Sequence, residues 1–219
     1  MWCIQEITEE YRIRMYRLLD LYKVAYNASQ PVVCMDEKNK QLLADIRKPM
    51  SAKPGSCEKY DYEYKRKGTC NIFVAVEPKV GKRFVKVTDT RKKADFAYFV
   101  SDLVEKHFPK AHCIQLVLDN LNTHFEGSLI ETFGKRKAAR LMKKLQFIHT
   151  PKHASWLNMA EIEINIMDRQ CSGGRIASKE KLSDDVAKWS KNRNKYKHKI
   201  EWKFTRQDAD QKLSKHYVA

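Results

Sequence analysis

The apolar positions of this chain change period several times, and each change marks an element. In residues 6–26, Tyr11, Met15, Leu18, Tyr22 and Tyr26 recur at spacings of 4, 3, 4 and 4, the stripe of an amphipathic helix. Glu6, Glu9 and Glu10 lie in its first turn, where they suit the helix dipole. Asn27 and Pro31 mark its end. Val32-Val33-Cys34-Met35 then reads as a short buried strand ending in Asp36-Glu37. Residues 44–59 contain Pro49, Pro54 and Gly55 and read as loop. Tyr60, Tyr62 and Tyr64 alternate, as in a half-exposed strand or extended arm. Ile72 to Val76 is a strand, Pro78 and Gly81 make a turn, and Phe84, Val85 and Val87 build the returning strand of a hairpin. Phe96, Phe99, Val100, Leu103 and Val104 fit a helix stopped before Pro109. A strand over 114–119, a very basic helix over 127–145, a short strand at Phe147-Ile148 and helices over 156–170 and 178–196 complete the pattern, followed by a tail.

Three strands followed by alternating helices and strands predict an α/β chain with a mixed five-stranded sheet flanked by helices. Right-handed crossovers and a hairpin leave few topologies. In the ribonuclease H-like one, the 32–36 strand is central, with the hairpin on one side and the 114–119 strand parallel on the other. The expected division is an N-terminal helix and linker over 1–30, a ribonuclease H-like domain over 31–170 and a helical basic tail over 171–219.

Open α/β sheets bind ligands outside the carboxyl ends of the strands, where the chain order reverses. Asp36 and Asp119 end the two strands that flank that point. An Asp-Asn pair after a strand is on its own an ordinary turn. Two such acids side by side repel each other, an arrangement that is costly unless a cation sits between them. Helical spacing puts Asn158, Glu161, Asn165 and Asp168 on one stripe, with Met159, Ile162 and Ile166 on a neighbouring apolar stripe that would face the sheet. Glu161 is thus the candidate third carboxylate, and Glu163 projects almost oppositely. Three carboxylates suit Mg2+ or Mn2+, hard cations that take oxygen ligands. Two such ions can activate a nucleophile and stabilise the leaving oxygen of a phosphodiester.

Charge points to the substrate. With 43 Lys and Arg against 27 Asp and Glu, the chain carries a net +16, the signature of a polyanionic partner, most commonly nucleic acid. Lys135, Arg136, Lys137, Arg140, Lys143, Lys144 and Lys152 occupy residues 132–160 with no acid among them. Lying between the second and third acids, they are expected to form a positive flank along the cleft and to contact phosphates without sequence choice. The run Lys191, Arg193, Lys195, Lys197 and Lys199 has a period of two, which spreads charge around a helix and reads as a solvated segment. Asn120, His124 and Asn158 stand close to the acids in sequence, and the two Asn amides are candidates to orient a carboxylate or a metal-bound water. His124 has two readings, contact with a scissile phosphate or a helix cap. None of the six cysteines forms a C-x-x-C pair or has a zinc-spaced His, which implies a reducing cytoplasm and no structural disulfide. No apolar run approaches the roughly 18 residues of a membrane span, and the acidic first 25 residues do not read as a signal peptide.

Four blocks carry a resemblance. They are Pro31-Val-Val-Cys-Met-Asp36-Glu37 with Lys40-Gln-Leu-Leu43, Tyr60-Asp-Tyr-Glu-Tyr64, Val117-Leu-Asp119-Asn120-Leu-Asn122-Thr-His124, and Thr150-Pro-Lys-His-Ala-Ser-Trp-Leu-Asn158-Met-Ala-Glu161-Ile-Glu163. Together they resemble the catalytic half of a bacterial insertion-sequence transposase of the mariner-related group, with its DDE endonuclease domain. The similarity extends to Arg169-Gln-Cys171 and Trp202-Lys-Phe204. It implies a ribonuclease H-like fold, catalytic and metal-binding acids Asp36, Asp119 and Glu161, and Mg2+-dependent cleavage at transposon ends. The freed 3′-hydroxyl would then attack target DNA. The partners implied are double-stranded DNA, both terminal inverted repeats and target, and a second copy of the chain as a homodimer.

Two departures stand out. Family members carry helix-turn-helix modules ahead of this region, and residues 1–30 leave no room for them. A separate helix-turn-helix partner chain, a split element, or a truncated or domesticated copy would account for this. Gly173-Gly174 replaces bulkier residues before Arg175-Ile176. The competing functions are a non-catalytic basic DNA-binding remnant that interferes with a full-length partner, and a stand-alone nuclease or resolvase of the same fold. The intact acids favour an enzyme.

Overall fold

A computed structural model describes residues 6–218; Cys3 lies outside them. Five strands, β1 (Val32–Asp45), β2 (Tyr64–Glu77), β3 (Lys82–Thr88), β4 (Ile114–Leu118) and β5 (Leu145–His149), form one sheet in the order β3-β2-β1-β4-β5. β1, β2 and β3 pair antiparallel, whereas β4 runs parallel to β1 and β5 parallel to β4. This is the mixed five-stranded ribonuclease H-like sheet that the element order predicts.

Helices cover both faces, which is why the central strands are apolar at consecutive positions. Val33, Cys34 and Met35 in β1 and Leu116, Val117 and Leu118 in β4 are fully buried; each such side chain contributes on the order of 1.5–3 kcal/mol. On one face, Val33, Met35, Phe73, Leu116 and Leu118 pack against α2 (Lys93–Asp102) and α3 (Glu126–Met142). On the other, Cys34, Val76, Val117 and Ile148 meet Met15 and Leu18 of α1 (Glu9–Lys23), Met159 and Ala160 of α4 (Met159–Met167) and Ala209 of α6 (Arg206–Leu213). Farther along that face, Ile72 and Val74 meet Ile164 and Met167 of α4 and Leu182, Val186 and Trp189 of α5 (Lys179–Lys195). The first and last helices therefore share a core with the sheet.

The structure corrects the sequence reading at several points. β1 does not stop at Asp36-Glu37 but continues to Asp45. Its pairing with β4 ends at Cys34↔Val117, and from Asp36↔Val74 to Asp45↔Tyr64 its only partner is β2. Beyond Cys34 this stretch is a sheet edge with one side unpaired, and past Asn39 its β2 partner no longer pairs with β3, so it is too solvated and polar to read as a buried strand. The predicted apolar stripe of α4 holds in part: Met159 is buried and Ile166 packs on the core, but Ile162 is exposed, and Ala160, Glu163, Ile164 and Met167 are buried instead. Glu163 tolerates the core because Arg83 Nε and Nη2 donate to its two carboxylate oxygens at 2.8 and 2.9 Å, and Arg193 Nε donates at 2.6 Å. Arg193 is therefore part of a buried ion-pair cluster, not of a solvated run. Gly173 follows a π-helical turn, Asp168–Ser172, and a Cβ there would lie 2.5 Å from the Asp168 carbonyl oxygen; the tight turn at the end of α4 accounts for this glycine.

Candidate active site

The three acids come from three elements. Asp36 sits on β1 just beyond the last residue paired with β4, and Asp119 follows the last residue of β4. Glu161 occupies the first turn of α4. Strand alternation turns Asp36 to the face shared with Cys34 and Val74, the face that α4 covers. The three predicted acids thus lie in one neighbourhood, where the charges of Asp119 and Glu161 act on Asp36. Asp36 is buried, and its carboxyl is pushed up to about 8, chiefly by desolvation and further by the charges of Asp119, Glu161 and Glu37. The Glu37 backbone N–H, which donates to Asp36 Oδ1 at 2.8 Å, offsets part of this. Asp119 behaves oppositely. Burial would raise it, but contact with His124 and the Leu121 N–H, donating at 3.1 Å, hold it below the usual carboxylate range.

Asn158 is fully buried and does two things. Its side-chain oxygen caps α4 by accepting the Ala160 N–H at 3.1 Å, and its amide donates to the Met35 carbonyl at 2.8 Å. It joins the helix carrying Glu161 to the strand position next to Asp36. Asn120 turns the other way, donating to the Thr150 carbonyl at 2.6 Å and accepting from Arg14 at 3.4 Å. It closes the loops after β4 and β5 rather than touching Asp119. His124 neither caps a helix nor reaches solvent. Its ring is fully buried, with Nδ1 2.5 Å from Asp119 Oδ1 and Nε2 3.0 Å from Glu37 Oε2. Its proton affinity rises to about 9: burial lowers it, and the two carboxylates more than compensate.

The basic residues separate. Lys152 lines a cavity of about 390 Å³ together with Asp119, Asn120 and His153. A neighbouring cavity of about 340 Å³ continues past Lys152 and His153 to Tyr11 and Arg14 of α1. The α3 cluster lies elsewhere. This segment starts beside the loop after β4, breaks at Gly134 (φ 74°, ψ 164°) into two helical halves, and ends where the Lys144 carbonyl accepts the N–H of Ile114, the first residue of β4. Lys137 and Arg140 pair with Glu105, and Lys144 donates to the Pro109 carbonyl. Lys135, Arg136 and Lys143 are exposed on the same helix or just past its end. The expected flank is therefore Lys152 near the acids and six residues toward the opposite end of the sheet.

The donor set suits Mg2+ or Mn2+. It supplies carboxylate oxygens alone, and the mutual repulsion felt at Asp36 is what a divalent cation relieves. Among the described residues, no three His, Cys, Asp or Glu side chains are already gathered into a metal cage. The described cysteines are all unpaired: Cys34, Cys57, Cys70, Cys113 and Cys171. Among the described residues, no helix is long and apolar enough to cross a membrane.

Sequence reasoning missed Glu37 as a neighbour of the site. The signal was available: Glu37 follows Asp36 on a strand, so it must point to the opposite face, where nothing polar was expected.

Residues 31–183 match the family described as DDE superfamily endonuclease. No curated protein sequence matches the chain. Several solved structures share its fold. The Mos1 mariner paired-end complex with Mn has a TM-score of 0.59 at 14% identity, covering 90% of this chain and 60% of that one. The Mos1 strand transfer complex has a TM-score of 0.60 at 14% identity, covering 90% and 58%. The mariner Mos1 paired-end complex with Mg has a TM-score of 0.59 at 16% identity, covering 100% and 66%. The chain thus spans about three fifths of the length of the Mos1 chains it resembles.

Proposed function

Because this chain belongs to the DDE superfamily endonucleases, we propose that it is the catalytic domain of a transposase. It cleaves phosphodiester bonds at transposon ends and joins them to target DNA. One observation carries the reading. Asp36, Asp119 and Glu161 come from three separate elements, and the charges of the other two both act on the buried Asp36.

In this reading the three carboxylates hold Mg2+ or Mn2+, as two ions. When bound, such ions make a water or 3′-hydroxyl nucleophilic and stabilise the leaving oxygen. The chain's own residues do the rest. Asn158 sets the distance of the Glu161 helix from Asp36, and the cavities running from Asp119 past Lys152 to Arg14 receive the phosphates next to the reacting one. Lys135, Arg136, Lys137, Arg140, Lys143 and Lys144 would contact duplex farther from the reaction, adding affinity without sequence choice. The substrates are the terminal inverted repeats and target DNA. A homodimer and a helix-turn-helix module, on this chain's own longer form or on a separate partner chain, would supply pairing and recognition of ends. The relatives' description as paired-end and strand transfer complexes supports this proposal. Cysteine usage supports a cytoplasmic location.

The test is cleavage and joining of a labelled, nicked or pre-cut transposon-end duplex with Mn2+, comparing the wild-type chain with Asp119→Ala. Product from the wild type and none from the variant supports the reading. Salt-sensitive DNA binding by both without any product would make the chain a basic binding remnant.

A further inference from the structure

Consecutive residues of a strand face opposite sides of the sheet. Asp36 faces α4, and Glu37 faces the α2–α3 layer, where its side chain is only 3% exposed. A carboxylate in that position is expensive to bury unless it is matched, and the proposed reaction gives it no part. Its surroundings show what it meets. Glu37 Oε2 lies 3.0 Å from His124 Nε2, and His124 Nδ1 lies 2.5 Å from Asp119 Oδ1. The Glu37–His124 approach is an ion-pair distance without hydrogen-bond alignment, and neither atom has another hydrogen-bond partner. The imidazole packs on Phe96, with ring centroids 4.9 Å apart. Arg91 Nη1 stands 3.9 Å from the other Glu37 oxygen. The Glu37 backbone N–H donates to Asp36 Oδ1.

A continuous line therefore runs from Asp36 through Glu37 and His124 to Asp119, behind the sheet edge that carries the acids. His124 Nδ1 bonds the carboxylate after β4, Nε2 lies at ion-pair distance from a carboxylate of β1, and Phe96 covers the ring. The buried imidazole is thus held between two carboxylates, and it holds one Asp119 oxygen in turn. Stability alone does not explain such a device, because buried ionic groups are commonly no more stabilising than apolar side chains of the same volume.

We infer that Glu37 and His124 form a strut that fixes Asp119 relative to Asp36, so that the two acids are presented at a set spacing before any ligand arrives. Both are positioning residues: neither reaches the cleft. The inference rests on the proposed reading of these acids as a metal site. Groups that hydrogen-bond ligating carboxylates from behind typically change metal affinity or activity about 10–100-fold when removed.

The test measures Mn2+ binding to the whole chain by electron paramagnetic resonance, together with thermal melting. The proteins are wild type, Glu37→Gln, His124→Gln and the double variant. The strut predicts that each single variant weakens Mn2+ binding about 10–100-fold while melting remains a single cooperative transition. It also predicts that the double variant is no weaker than the worse single, because the two residues act in series. Unchanged Mn2+ affinity in the singles, or losses that add in the double, would overturn it. If the wild type binds no Mn2+, the nuclease reading falls, and the strut is then decided by a crystal structure of Glu37→Leu. Displacement of His124 from Asp119 sustains it, and an unmoved His124–Asp119 contact overturns it.

Discussion

The Asn158 side chain donates a 2.8 Å hydrogen bond to the carbonyl of Met35, the residue just before Asp36. The same side chain caps α4 through the Ala160 N–H. Replacing it with Ala removes a cap worth about 0.5–2 kcal/mol and leaves a buried carbonyl unpaired at about 1–3 kcal/mol. Asn158→Ala should therefore lower the urea midpoint substantially. Asn158→Asp keeps an acceptor for the cap and loses the donor, so it should recover part of the stability but not the cleavage activity. Equal activity in Asn158→Asp and wild type would show that the link to β1 is dispensable.

Acid chemistry predicts a pH slope in the metal-free chain. Asp36 sits near 8 in the folded state, well above an ordinary carboxyl, because of burial and neighbouring acids. The folded state therefore binds this proton more tightly than the unfolded state does, and the stability it contributes is full at about pH 4 and lost as pH rises toward 8. In the presence of a chelator, denaturant midpoints should fall across that window, and Asp36→Asn should flatten the fall. Added Mn2+ should restore stability most at the upper end, where proton competition for the carboxylates is weakest. Identical slopes for wild type and Asp36→Asn would contradict the burial argument.

Glu163 and Arg83 form a buried pair in which both side chains are inaccessible. Glu163→Ala strands the Arg83 charge and should cost about 3–5 kcal/mol in chemical denaturation. Arg193→Ala should cost less, since Arg83 still satisfies both Glu163 oxygens. The reverse ranking would mean that Arg193 is the principal counter-charge.

Lys152 and Lys143 distinguish the two basic regions. Each phosphate contact removed should lower the salt slope of duplex binding by about 1. With a short duplex that fills only the cleft, Lys152→Ala should reduce the slope and Lys143→Ala should not. A longer duplex is needed for α3 to contribute. Equal effects on the short duplex would place both residues on one DNA path.

The acids at the sheet edge were legible because strand ends and helix periodicity are written in residue type and spacing. β4 reads directly, since its run is buried on both sides. The continuation of β1 to Asp45 was not legible, because Lys38, Asn39 and Lys40 lie on a half-solvated sheet edge and carry no apolar signal. The buried face of α4 was misjudged for a related reason: Glu163 lies inside only because Arg83, eighty residues earlier, meets it there. The strut behind Asp119 was half legible. Asn120 and His124 stand close to Asp119 in the chain, but which of them turns toward it is settled by β1, distant in sequence.

Apolar packing alone would let α4 roll on the sheet, since one aliphatic side chain can replace another at modest cost. The charged contact among Arg83, Glu163 and Arg193 works like a key in a shaft: it is directional and admits a single azimuth. Residues two apart on a helix diverge by about 200°, so locking Glu163 inward also aims Glu161 away from the core. The second glutamate of the E-x-E pair is thus the aiming device of the first, and exchanging Ile162 with either neighbour would misdirect the site while leaving composition unchanged.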